Sequence, residues 1–360
     1  MPQLQRRDFL RAAGALALVH WSGALRAQAG LVPIADVHSH YGMIMRKLAD
    51  SGLAAEMRSR RIALVAWKLV ADGPWIRVTN TGIEQAREPG PGQLASFLNG
   101  ALDRMLAYIA EHKLRTVQTP ADVDACIAGD AGIVLASEGA DFLEGKVESL
   151  GAAYAKGLRH LQLVHYIRTP VGDFQTIAPT HNGLSAMGKQ LVEACNSMGV
   201  LVDLAHSTGA AVDQALDIAK APVIWSHSWV SASGGNWQDL YGFQKRALSL
   251  AHAKKIAARG GVVGLWGLGL ARPNADWPVG QGDTRGYARQ IVKLVDMIGA
   301  DHVAFGTDIE GVGRTAAIDD YGQLRGVVEQ LQAMKLEASV IERVAYGNYA
   351  RVLKAVLKPS

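Results

Sequence analysis

The chain has 360 residues, 49% hydrophobic and 19% charged, which excludes intrinsic disorder, a state of low hydrophobicity and high net charge. Its 39 glycines have no three-residue period, which excludes a collagen-like helix, and 12 prolines are too few for a proline-rich linker. Two cysteines, Cys126 and Cys195, exclude a disulfide framework and a cysteine-built zinc site, so any metal chemistry rests on the 11 histidines and the carboxylates.

In chain order, the first feature is QRRDFLR at Gln5–Arg11, followed by a mild apolar stretch from Ala12 to Val19. Arg6–Arg7 ahead of Phe9–Leu10 resembles a twin-arginine export signal, and Ala27 and Ala29 around Gln28 match a signal-peptidase site. The apolar run is too short to span a bilayer, so no stable membrane anchor is expected. Residues 1–29 are read as the signal and 30–360 as one mature domain, periplasmic or otherwise exported. The formal charge of +4 falls to +1 once Arg6, Arg7, Arg11, Arg26 and Asp8 leave with the signal. The basicity is therefore an export label and says nothing of an anionic partner.

Eight short apolar runs follow, separated by helical patterns. They are Leu31–His38, Ile62–Trp67, Gly132–Glu138, Leu161–His165, Val200–His206, Val223–His227, Gly261–Trp266 and His302–Asp308. Between and after them, helices are expected at Leu94–His112, Leu184–Met198, Ala210–Ala219, Leu250–Arg259, Tyr287–Ile298, Tyr321–Met334 and Ala338–Leu357. Eight alternations without repeats or linkers predict an α/β fold of one (β/α)8 TIM-type barrel, of the metal-dependent hydrolase type.

Catalytic groups in such barrels sit at the carboxyl ends of strands. Here His38 and His40, Glu138, His165, His206, His227 and Asp308 fall at the ends of strands 1, 3, 4, 5, 6 and 8. His38 and His40 share a strand face, His206 and His227 come from neighbouring strands, and Glu138 can bridge the two pairs. Two ions held this way acidify a shared water and stabilise an oxyanion, with Asp308 placed to move the proton. The pattern predicts metal-assisted hydrolysis. Of the remaining histidines, His112 and His252 are expected on helix surfaces, His160 and His302 in structural roles, and His181 in a loop on the catalytic side.

These residues carry a resemblance to the membrane (renal) dipeptidase family of zinc metallopeptidases. It runs through DVHSH at Asp36, SEG at Ser137, LQLVHY at Leu161 and NGLSAMGKQLVEACNSMGVLVDLAHST at Asn182. It continues through PVIWSHS at Pro222, RGGVV at Arg259, ADHVAFGTDIEG at Ala300 and GNYARVL at Gly347. The resemblance implies two zinc ions bridged by Glu138, with His38, His206 and His227 as ligands. It further implies His165 beside the tetrahedral intermediate, Asp308 as acid/base, and Arg246 holding a substrate carboxylate. Arg246 has a second reading as part of a solvated Lys245–Arg246 pair. Three departures stand out: His40 where the family has aspartate, Tyr166 where it has asparagine, and Trp266 at a strand end that lacks the family's tyrosine.

Seven tryptophans, Trp67, Trp75, Trp225, Trp229, Trp237, Trp266 and Trp277, fall in strands 2, 6 and 7 or the loops after them. They are expected either over the barrel mouth, favouring an apolar substrate side chain, or as loop anchors. The expected function is an exported binuclear zinc dipeptidase. The alternatives are hydrolysis of a lactone, cyclic amide or N-acyl amino acid, or a metal-binding pathway maturation protein. Expected partners are a small-molecule or dipeptide substrate, the twin-arginine export machinery and, as an assembly option, a second copy in a homodimer. No basic run interleaved with aromatics is present, so nucleic acid is not expected.

Overall fold

Strand assignments can be tested against the computed structural model, which describes residues 30–359; the expected signal over 1–29 lies outside them. Eight parallel strands form the barrel: β1 (Ile34–Ser39), β2 (Ile62–Val70), β3 (Gly132–Glu138), β4 (Leu158–Gln162), β5 (Leu201–Asp203), β6 (Ile224–Ser228), β7 (Val262–Trp266) and β8 (Val303–Gly306). Their hydrogen-bonded order is β2-β1-β8-β7-β6-β5-β4-β3, and seven register pairs from Leu64↔Gly132 to Val70↔Glu138 join β2 to β3 and close the barrel. A two-residue strand, Arg115–Thr116, flanks β3.

All eight predicted strands are present, but several ends move, among them that of β8, which stops at Gly306 and leaves Asp308 two residues beyond it. β2 runs past Trp67 to Val70, because the Lys68 side chain turns into the barrel and finds a buried partner. β4 and β5 stop at Gln162 and Asp203, so His165 and His206 sit three residues beyond strand ends rather than on them.

Alternate strand residues share a face. Val37, Leu64, Val134, Leu201, Ile224 and Val262 fill the barrel interior and pack on Tyr349, Val352 and Leu353 of the terminal helix. That segment, predicted as one helix over Ala338–Leu357, is interrupted by a π turn at Arg343–Gly347. Just past the turn, Asn348 Nδ2 donates to the Ala300 and Val303 carbonyls, 2.7 and 2.8 Å away, tying the helix to the end where β8 begins. The opposite residues, such as Val65, Trp67, Ile133, Leu135 and Phe305, belong to the larger core that includes the surrounding helices. Cys126 and Cys195 are free and buried, and burial pushes each thiol up to about 12. Among the described residues no helix is long and apolar enough to cross a membrane.

A polar layer lies within the barrel. Lys68 Nζ is 2.7 Å from Asp203 Oδ2, and both side chains are fully buried. His160, inside β4 rather than ahead of it, lies 3.2 Å from the same oxygen and 3.1 Å from the Tyr349 hydroxyl. Ser226 N and Ala205 N donate to Asp203 Oδ1. Burial alone would raise the Asp203 pKa, but the Lys68 and His160 charges outweigh it and hold the carboxyl well below the usual range. Removing one member of a buried pair strands the other charge. Lys68→Met should therefore destabilise the fold by about 3–5 kcal/mol, and adding Asp203→Asn should recover part of the loss. Urea unfolding of the two variants checks this; a single variant as stable as wild type overturns it.

Candidate active site

Glu138 ends β3 with its carboxylate pointing into the mouth of the barrel, 3% exposed. Oε2 lies 3.1 Å from His40 Nε2 and 3.5 Å from His165 Nε2. Oε1 lies 3.4, 3.2 and 3.5 Å from the Nε2 atoms of His38, His206 and His227. Five imidazoles therefore converge on one carboxylate.

The ring nitrogens come in pairs: His38 Nε2 and His40 Nε2 are 3.1 Å apart, and His206 Nε2 and His227 Nε2 are 3.2 Å apart. Two nitrogens bound to one tetrahedral zinc at about 2.05 Å stand about 3.3 Å apart. With one Glu138 oxygen each, the pairs form two three-ligand clusters, His38–His40–Glu138 and Glu138–His206–His227. The donor set thus fits two divalent ions of the zinc type. Outer partners orient the rings. His40 Nδ1 donates to the Lys68 carbonyl at 2.9 Å, which leaves Nε2 for an ion. Ser226 Oγ lies 2.8 Å from His38 Nδ1 and 3.1 Å from His227 Nδ1. His206 Nδ1 is buried without a partner.

Asp308 stands opposite, two residues past β8, with Oδ1 3.1 Å from His40 Nε2 and 3.6 Å from His38 Nε2. Its left-handed backbone, φ 55°, is held by its own N–H donating to the His38 carbonyl at 2.8 Å. A Cβ on Gly311 would lie 2.0 Å from Asp308 Oδ1, so only glycine leaves room for this carboxylate. Trp266 Nε1 donates to Oδ2 at 2.8 Å and turns Oδ1 toward the histidines.

His165 lies in the loop after β4, and its Nδ1 donates to Asp72 Oδ1 at 2.6 Å, while Tyr166 N donates to Asp72 Oδ2. Sequence reasoning missed Asp72 because it ended strand 2 at Trp67; an acid just beyond the true end of that strand was the signal. Asp141 lies near this group with neither oxygen bonded, and burial followed by the Asp72 charge push it well above the usual carboxylate range.

Arg246 is 1% exposed, which excludes the solvated-pair reading. Nη1 donates to Gln175 Oε1, Nη2 lies 3.1 Å from His227 Nε2, and Nε has no partner. His181 is exposed and away from the cavity, its N–H donating to Asp173. Of the seven tryptophans, Trp266 alone lines the cavity among the described residues. Trp229 stacks behind it and packs on Trp277, and Trp237 is exposed elsewhere, so apart from Trp237 the others are buried anchors and not a mouth. His252 and His112, expected on surfaces, are half-buried against Ser249 and Tyr108. His302 Nδ1 donates to the Gly261 carbonyl, a structural role.

Burial holds His206 and His227 well below their usual pKa, neutral as ligands must be. His40 differs. Burial opposes its charge, but Asp308 and Glu138 outweigh burial and lift its pKa from 6.5 to about 10. Proton and ion therefore compete for Nε2. The folded pKa is raised, so in the metal-free chain this contribution is complete below pH 6.5 and lost as pH rises through about 10. Zinc affinity should rise over the same window, with roughly one proton released per chain near pH 7. Calorimetry in two buffers of different ionisation enthalpy counts the protons; no release refutes the competition.

Against known proteins, the sequence profile of the membrane dipeptidase family, Peptidase family M19, matches residues 93–359. An uncharacterized protein in the pqqA 5′ region of Klebsiella pneumoniae is 28% identical over 71% of this chain and 93% of its own length. Dipeptidase 3 of Homo sapiens is 25% identical over 61% of this chain, and the match spans only 44% of that protein. A metallo peptidase from Rhodobacter sphaeroides, liganded with a phosphinate mimic of the dipeptide L-Ala-D-Ala, shares the fold with a TM-score of 0.72 at 20% identity, over 91% of this chain and 99% of that one. The chain belongs to the membrane dipeptidase family of metallo-hydrolases.

Proposed function

We propose that this protein is an exported binuclear zinc dipeptidase that hydrolyses the amide bond of dipeptides or dipeptide-like compounds. The observation that carries the reading is Glu138, set between two imidazole pairs with Asp308 facing them. The Rhodobacter sphaeroides structure with its dipeptide mimic supports the substrate class, and the sequence of residues 1–29 supports export by the twin-arginine route.

His38, His40 and Glu138 would hold one ion, and Glu138, His206 and His227 the other. Two such ions supply Lewis acidity, lowering the pKa of water and polarising the scissile carbonyl. Asp308 Oδ1, free of the Trp266 hydrogen bond, takes the proton of the attacking water and returns it to the leaving nitrogen. His165, with Nδ1 committed to Asp72, presents Nε2 to the developing oxyanion. Arg246 is read as the carboxylate anchor. A neutral imidazole nitrogen has one lone pair, so when His227 Nε2 ligates an ion, Arg246 Nη2 loses its acceptor there. That donor and the unpartnered Nε then serve a substrate oxygen.

A second reading keeps this machinery and changes the bond to that of an N-acyl amino acid, a lactone or a cyclic amide. The absence of the family's tyrosine from the end of β7 favours the lactone and the cyclic amide, which bring no free carboxylate, because the Trp266 indole there is spent on Asp308 and offers a carboxylate no hydroxyl. A panel of L,L and L,D dipeptides beside N-acetyl amino acids, lactones and cyclic dipeptides, run on zinc-loaded protein, separates the two. Turnover of dipeptides is expected, and its absence across the panel refutes the peptidase reading. Asp308→Asn should lower kcat by about 100-fold or more while the protein keeps its zinc. An unchanged rate would remove Asp308 from proton transfer. Arg246→Lys keeps the charge but loses the fork, so it should raise KM for dipeptides and spare substrates without a carboxylate.

A further inference from the structure

We propose that the hairpin after β2 selects the substrate, favouring short amides that carry a large aliphatic or aromatic side chain. The proposal rests on the active-site reading above and deepens it.

The hairpin joins strands Ile76–Thr79 and Gly82–Gln85 around Asn80–Thr81, with Val78 opposite Ile83 and Arg77 opposite Glu84. Strand alternation gives it two faces. Ile76, Val78 and Ile83 lie on one, and all three line the cavity of about 530 Å³ above Glu138. Arg77 and Glu84 lie on the other, paired at 2.7 Å in solvent. Val78 is 82% exposed and Ile83 half-buried, so their aliphatic surface is not consumed by the core.

Placement makes this face a roof. In the closed strand order, β2 and β6 stand opposite each other, four steps apart either way. The hairpin crosses the mouth and meets the loop after β6 backbone to backbone at Gly82 and Gly242. A Cβ on Gly82 would lie 2.9 Å from Gly242 Cα, and one on Gly242 would lie 2.7 Å from Gly82 Cα, so the contact requires both glycines. Phe243, Ile44 and Val312 from other loops continue the apolar wall. Arg314 is the sole lysine or arginine among the described lining residues, Arg246 being buried against His227 at the floor. Polar groups concentrate on the floor, where the amide reacts, and apolar groups on the roof. A bridged mouth limits length, and an apolar roof favours apolar side chains, each newly buried methylene adding about fourfold in affinity.

The test uses the zinc-loaded chain with Asp308→Asn, so that turnover does not consume the ligand, and titrates Gly-Gly and Leu-Leu by calorimetry. Leu-Leu is expected to bind about tenfold more tightly or better. Val78→Asp and Ile83→Asp, added separately, should cut that preference to about threefold or less. Val78 is too exposed for its change to threaten folding. Arg77→Ala, on the outer face, should keep the preference. Equal or undetectable binding of both dipeptides, or a preference that survives both aspartates, overturns the proposal. Selective Leu-Leu binding by a wild-type chain that hydrolyses no peptide would leave the hairpin's role standing and refute the peptidase reading instead.

Discussion

The carboxylate of Glu138, buried among five imidazole rings, is the interaction around which the mouth of this barrel is built. Burial by itself raises a carboxyl's pKa, yet here the His165 and His38 charges and the surrounding ring hydrogen bonds outweigh burial and hold it well below its usual value. An ionised carboxylate at this depth needs positive charge, and protons on rings or divalent ions both supply it. The two alternatives share the same nitrogen atoms, so metal occupancy, protonation and stability are a single linked equilibrium.

That arrangement depends on a layer below it. Ser226 connects the two: its N–H donates to Asp203, which Lys68 neutralises, while its hydroxyl contacts His38 and His227. Disturbing the ion pair therefore shifts the serine that orients one ring of each ligand pair. Glycines complete the packing at this level, since a Cβ on Gly264 or Gly306 would lie 1.9 or 1.8 Å from the Ser226 carbonyl. The apolar interior and the plug formed by Tyr349, Val352 and Leu353 lie beyond, so the polar layer is sealed from water on one side and lies beneath the cavity-lining His227 on the other.

How much of this was legible in the sequence follows from where each strand ends. Glu138 and His227 lie within their strands, so an apolar run closing on a polar residue located both. His165 and His206 converge although their strands stop three residues earlier, because left-handed backbone at His206, φ 71°, and the Asp72 hydrogen bond at His165 redirect the chain. Pattern alone reveals neither device. Lys68 reads as a strand stop because lysine is rarely buried, and only its tertiary partner Asp203, 135 positions away, reverses that. The same error hid Asp72. The hairpin was invisible for a different reason: its four-residue strands lie in a loop rich in glycine and proline, and its role comes from a contact with Gly242, far along the chain.

The departures from the family pattern now have a common physical sense. Trp266, at the end of a strand that lacks the family's tyrosine, donates its indole N–H to Asp308 and stacks before Trp229, making one wall apolar while fixing the carboxylate. Tyr166 packs edge-on against His206, and its phenol is pushed up to about 12 by burial, so it remains a neutral hydroxyl beside Arg246. His40, where the family has aspartate, leaves one negative charge fewer in the His38–His40–Glu138 cluster, and Asp308 lies closer to His40 than to His38. Each change leaves an aromatic or imidazole ring where the family pattern has a different polar group or none of that kind. The floor of buried carboxylate and imidazoles is constrained by the cost of unpaired buried charge, so a change there must keep that charge balanced. The roof carries no such constraint, and variation there changes what is bound while leaving the reacting groups in place.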